Sequence, residues 1–171
     1  MSDYRKIVFL DIDGVLSSIP FLCKGKGLID PENIKIVNKL KDTGADVVIS
    51  SSWGYDEGRT EKTLRELGFD LPIIDYTEHF HVDWLCRGNE IEKWLNVNFG
   101  GMGTKYGISK DDGVPYYRKH YHGAPDYEYV IFDDDTDFLL GQKENFIHVD
   151  EQKGVTDEDI ERARKILLRE P

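Results

Sequence analysis

The chain has 171 residues, a length that suits one domain. Its 22 Lys and Arg against 33 Asp and Glu leave a formal charge of −11, too acidic for broad nucleic-acid binding, which rests on many cationic contacts to phosphates. No apolar run approaches the roughly 20 residues of a membrane span. Asp11 and Asp13 interrupt the N-terminal apolar stretch, so no signal peptide is read and a cytoplasmic location is expected.

The first element is a strand over residues 6–10, Lys6-Ile7-Val8-Phe9-Leu10, whose near-continuous apolar character marks burial on both faces. Residues 31–43 read as a helix, with Asp30 as cap, Pro31 in its first turn, Ile34, Val37 and Leu40 at helical spacing, and Gly44 as its stop. A second buried strand covers residues 45–50, a helix covers 60–67, and a short third strand covers 71–74. A helix from about Asn89 to Asn96 places Ile91, Trp94 and Leu95 on one face. Strands follow at Glu128–Phe132 and Phe146–Val149, and the last helix opens with Thr156 and Asp159 in capping-box spacing.

Strands that alternate with helices predict an α/β, Rossmann-like domain with a mainly parallel sheet and helices on both faces. Residues 96–127 break the alternation; they hold six glycines and several tyrosines and read as a lid or a small insertion with its own hairpin.

In such sheets ligands bind beyond the carboxyl ends of the strands. Asp11 and Asp13 follow the first strand, Ser50, Ser51 and Ser52 the second, and Asp133, Asp134, Asp135 and Asp137 the fourth. Carboxylates crowded on one edge repel each other and desolvate badly, so a divalent cation is their simplest companion, and oxygen ligands suit Mg²⁺. Mg²⁺ commonly completes its shell with phosphate oxygens, which points to a phosphorylated substrate. One carboxylate can act as nucleophile, and a second, two residues on, can protonate the leaving oxygen and then activate water. A turn at Gly14 would aim nearby backbone N–H groups at the phosphate.

The run Asp11-Ile12-Asp13-Gly14-Val15-Leu16 resembles the first motif of the haloacid dehalogenase (HAD) superfamily. Ser50 resembles the second motif, and Asp133-Asp134, with Asp137 beyond, the acidic fourth. The stretches Val48–Trp53, Arg87–Leu95 and Ile131–Asp135 resemble small phosphatase-like members, some associated with RNA repair. The resemblance implies a Mg²⁺-dependent phosphomonoesterase with an aspartyl-phosphate intermediate. Asp11 would be nucleophile and metal ligand; Asp13 would give its backbone carbonyl to the metal and its side chain as general acid, then base. Ser50 would bond the transferring phosphoryl group, and Asp134 would bind the metal, with Asp133 or Asp137 bonding metal-bound water. The basic third-motif residue is Arg87, with Lys93 on the same helix and Lys105 in the insertion as rivals.

Gly14, Ser51, Trp53 and Arg118 are the expected substrate contacts. Trp53 suits either base stacking or rim packing, and Arg118, among Tyr116, Tyr117 and Tyr121, suits either a nucleotide clasp or a solvated loop. Gly54 stands where similar sequences carry Arg after the Ser-Trp pair, with Arg59 as a stand-in. The short segment between Gly14 and Pro31 leaves no room for a large cap, so by resemblance a polynucleotide phosphate end fits, while the charge of −11 favours a small nucleotide or metabolite, or contact only at a terminus; a nucleotide or nucleic-acid end is the expected substrate. A metal-free dehalogenase and a non-catalytic binding module are the competing classes. No obligate protein partner and no membrane association are expected.

Overall fold

The computed structural model describes residues 4–55, 58–79, 86–99, 107–108, 115–116 and 127–168. Five strands form one sheet: β1 (Arg5–Leu10), β2 (Asp46–Ile49), β3 (Ile73–Tyr76), β6 (Tyr127–Asp133) and β7 (Phe146–His148), in the order β3-β2-β1-β6-β7. Every pairing in it is parallel. Between β3 and β6 lie β4 (Gly107–Ile108) and β5 (Pro115–Tyr116), which pair with each other antiparallel. They fall inside the segment read as an insertion, whose remaining residues past Phe99 lie outside the described ones.

The central strands are apolar on both faces because both faces are covered. Side chains alternate along a strand, so Val8 and Leu10 of β1 join Val47 and Ile49 of β2 and Val130 and Phe132 of β6 in the larger core cluster. That cluster is closed by α2 (Pro31–Val37), α3 (Arg59–Glu66) and α5 (Asp157–Leu167) through Ile34, Val37, Leu64, Ile160 and Ala163. Ile7, Phe9, Val48 and Ile131 point the other way, onto Ile91, Trp94, Leu95 and Phe99 of α4 (Arg87–Phe99). Phe9 meets Trp94 edge-on with ring centroids 5.4 Å apart, a favoured aromatic geometry.

Several boundaries differ from the sequence expectation. The helix read over 31–43 is α2 followed by a 3-10 segment, Asn38–Thr43, which ends at Gly44 with φ of 70°. The third strand runs over Ile73–Tyr76 rather than 71–74, because Pro72 has no N–H to give the ladder and contributes only its carbonyl, to Val47 N–H at 2.7 Å. The helix α4 is longer at both ends than the apolar stripe alone indicates. A short helix, α1 (Ile19–Cys23), lies between β1 and α2; its five residues are too few to show a periodic pattern. The cap of α5 is as read: Thr156 Oγ1 accepts from Asp159 N–H at 3.3 Å while the Asp159 carboxylate accepts from Thr156 N–H at 3.0 Å.

The order of strands reverses beside β1. β2 and β3 extend to one side of it, β6 and β7 to the other. This is the topological switch point where open α/β sheets form their binding crevice, and Asp11 and Asp133 stand at its two lips, with Asp11 N–H bonded to Phe132 O at 3.0 Å.

Candidate active site

Carboxylate oxygens of Asp11, Asp133 and Asp134 lie within 4.8 Å of one another. Asp11 and Asp133 are buried, and Asp134 is half-buried. Burial is the largest influence on Asp11 and pushes its pKa well above the ordinary carboxylate range; the Arg87 guanidinium and a hydrogen bond from Ser51 act against it. Burial likewise raises Asp133, and the neighbouring Asp11 charge raises it further. Asp134 is also raised, first by burial and then by the charges of Glu151, Asp135 and Asp13 around it.

One oxygen of Asp133, Oδ2, is buried with no hydrogen-bond partner. Its other oxygen accepts the Asp135 N–H at 2.9 Å. A buried carboxylate oxygen left without a hydrogen bond costs free energy, and here it stands among two further carboxylates. A hard divalent cation satisfies both conditions at once, so the residues present fit Mg²⁺.

Among the described residues, Arg87 is the cation of this cluster. Its guanidinium stands 4.0 Å from Asp11 Oδ1, 3.7 Å from Asp133 Oδ2 and 3.4 Å from Glu90 Oε2. The start of α4 is clamped so that Arg87 arrives there. Asp137 Oδ2 accepts the Arg87 N–H at 2.9 Å, and Gln142 Nε2 donates to Gly88 O at 2.9 Å. A β-carbon on Gly88 would meet Leu139 N at 2.6 Å, so a glycine is required for this approach. Lys93 sits six residues on, on a different face of the helix; it pairs with Glu78 and faces a cleft with Asp75 and Tyr76. Asp137 thus caps the start of α4.

The second strand ends in two buried serines with different partners. Ser51 bonds the Asp11 side chain, and Ser50 Oγ lies 3.4 Å from Thr77 Oγ1. Asp13, in contrast, is exposed, and its Oδ2 accepts the Trp53 indole N–H at 3.0 Å. Gly14 takes a φ of 69°, and its own N–H is bonded to Ser17 O at 3.1 Å, so it serves the turn itself. Arg118 and Lys105 lie outside the described residues.

Three contributors were absent from the sequence reading: Glu90, Thr77 and Glu151. Glu90 is buried and holds both Arg87 and His79, with His79 Nδ1 at 2.8 Å. Its signal was its place one helical turn after Arg87. Thr77 directly follows a strand, as the other site residues do, but a strand placed two residues early hid it. Glu151 carries the same strand-end signal, two residues past the strand read at Phe146–Val149, and packing brings its charge near Asp134.

An open parallel α/β sheet whose β1 and β6 end in facing carboxylates, with an arginine between them, defines a HAD-type domain. A sequence model of the HAD domain in Swiss Army Knife RNA repair proteins matches residues 7–160, and the chain belongs to that family. No curated protein and no solved structure gives a significant match. Membership supports phosphohydrolase activity of the HAD type in general. No described helix is long and apolar enough to cross a membrane.

Proposed function

We propose that the chain is a Mg²⁺-dependent phosphomonoesterase that acts through an aspartyl-phosphate on Asp11. The observation that carries this reading is the packing of Asp11 against Asp133 and Asp134 with Arg87 at 4.0 Å. Asp11, Asp133 and Asp134 would hold the metal, together with the Asp13 backbone carbonyl. Bound there, Mg²⁺ offsets the charge of the carboxylates and of the phosphoryl oxygens.

In the first half-reaction an Asp11 oxygen attacks phosphorus, the P–O bond to the leaving group breaks, and Asp13 gives that oxygen its proton. In the second, Asp13 takes a proton from water as the water oxygen attacks phosphorus, and the bond to Asp11 breaks to release inorganic phosphate. Arg87 faces the charge that builds on the phosphoryl oxygens, and Ser50 would donate to one of them. Ser51 orients Asp11. This division of labour keeps Ser50 as the phosphoryl contact and adds Ser51 as the residue that holds the nucleophile.

For the substrate we favour a nucleotide or the phosphate end of a nucleic acid. The matched family occurs in RNA repair proteins, and between Gly14 and Pro31 the chain has only the five-residue helix α1. The net charge of −11 favours contact with a terminus alone, or a small phosphorylated metabolite. Gly54 stands where the family resemblance leads one to expect an arginine, a contact that Arg59 would replace or that would be lost. Hydrolysis of p-nitrophenyl phosphate with and without Mg²⁺, in wild type and Asp11→Asn, tests the mechanism. Metal-dependent turnover that Asp11→Asn abolishes is expected; turnover that survives this change at full rate removes Asp11 from the role. A panel of nucleotides, sugar phosphates and phosphate-ended oligonucleotides then separates the substrate classes.

A further inference from the structure

We propose that Trp53 is a positioning residue whose indole N–H holds the Asp13 carboxylate where it exchanges a proton with the leaving oxygen and the attacking water. This rests on the phosphohydrolase reading above. Asp13 is exposed, and an exposed short carboxylate is free to change rotamer unless something fixes it. The contact that fixes it is the Trp53 Nε1–H donated to Asp13 Oδ2 at 3.0 Å.

The donor is itself anchored. Trp53 is half-buried and packs against the larger core cluster. Its carbonyl accepts from Thr60 Oγ1 at 2.7 Å, and Thr60 is buried at the start of α3. Its own N–H lies 3.5 Å from Ser51 Oγ. The turn after β2 therefore reaches back to both acids after β1. Ser51 bonds Asp11, and Trp53, two residues on, bonds Asp13, two residues on.

The chemistry of the donor matters. An indole nitrogen only donates and does not titrate in the working pH range. Oδ2 of Asp13 is committed to accepting from it, which leaves Oδ1 to carry the moving proton in both half-reactions. This geometry assigns the indole edge to Asp13, where a residue kept for base stacking alone would need no partner at Nε1.

The test uses leaving-group dependence. A poor leaving alcohol needs the proton from Asp13, whereas dinitrophenolate does not. In Trp53→Phe, kcat/KM for an alkyl phosphate is expected to fall by about tenfold or more, while kcat/KM for 2,4-dinitrophenyl phosphate stays within about twofold. In an Asp13→Ala background the same change is expected to add less than about twofold for the alkyl ester. Should Trp53→Phe not fold, the Nε1–H resonance of Trp53 in the otherwise wild-type chain decides the matter. Its movement toward the free-indole position in Asp13→Ala supports the contact, and an unmoved resonance overturns it. An active wild type whose Trp53→Phe variant loses equally on both esters, or whose effects add fully with Asp13→Ala, overturns the positioning role alone. A wild type that turns over neither ester overturns the phosphohydrolase reading and this one with it.

Discussion

A β-carbon placed on Gly14 would lie 2.2 Å from Cγ of Asp134 and 2.7 Å from its Cβ. The loop after β1 and the loop after β6 are therefore in contact at a point where only hydrogen fits. Gly14 also has a φ of 69°, where a side chain costs about 1–2 kcal/mol.

Gly14→Ala is expected to push Asp134 out of the carboxylate cluster. The protein should lose at least about 2 kcal/mol of stability from backbone strain and overpacking together. Mg²⁺ affinity should fall by about tenfold or more, since one ligand is displaced. Urea unfolding and a calorimetric metal titration read the two effects. A variant with unchanged metal affinity would show that Asp134 does not bind the ion.

Arg87 and Lys93 were rivals in the sequence, and they now have different surroundings. Arg87→Met should lower kcat by about a hundredfold, as expected when a charge facing the phosphoryl oxygens is lost. Lys93→Met should change it by less than about threefold, because its partner Glu78 is an exposed residue. Arg87→Lys is expected to resemble Arg87→Met more than wild type, since an ammonium cannot span Asp11, Asp133 and Glu90 as the guanidinium does. Steady-state kinetics on one aryl phosphate tests all three.

The raised acids make a stability prediction for the metal-free protein. A carboxyl whose pKa is higher folded than unfolded adds no penalty below about pH 4, where both states are protonated. As pH rises the unfolded chain ionises freely while the folded site resists, so the penalty grows toward neutral pH. Asp11→Asn removes one such charge. Without metal it should melt about 2–4 °C above wild type at pH 8, corresponding to about 1 kcal/mol, and level with it at pH 4. Mg²⁺ should raise the wild-type melting temperature most at the higher pH. Calorimetry at the two pH values, with and without Mg²⁺, measures this; a variant that melts below wild type at pH 8 would contradict it.

The capping box of α5 contains none of the proposed catalytic or metal-binding residues. Thr156→Ala removes the acceptor for the Asp159 N–H and should cost about 1 kcal/mol of stability. Catalytic constants should stay unchanged, as read by unfolding and by turnover on the same preparation.

Much of the fold was legible because its signals are local. Apolar runs marked β1, β2 and β6, and the Asp30–Pro31 and Thr156–Asp159 pairs marked helix starts that the structure contains. The carboxylates were legible by position, since each follows a strand. The third strand was misplaced because Leu71 carries the apolar signal while the ladder runs on through the polar Asp75, and that shift hid Thr77. The first turn of α4 was missed for a related reason. Arg87 and Gly88 are polar or small, and what makes them helical is the carboxylate of Asp137, about fifty residues away in the chain.

By itself, then, the sequence determined the class of domain, the alternation of its elements and the edge on which acids gather, because hydrophobic period and strand-end position are properties of neighbouring residues. Only the tertiary structure decided that Arg87 rather than Lys93 faces those acids, that Ser51 bonds Asp11 and that Trp53 bonds Asp13. Those choices depend on distances between segments far apart in the chain, fixed by the parallel register of β1 with β2 and β6 and by the clamp on α4.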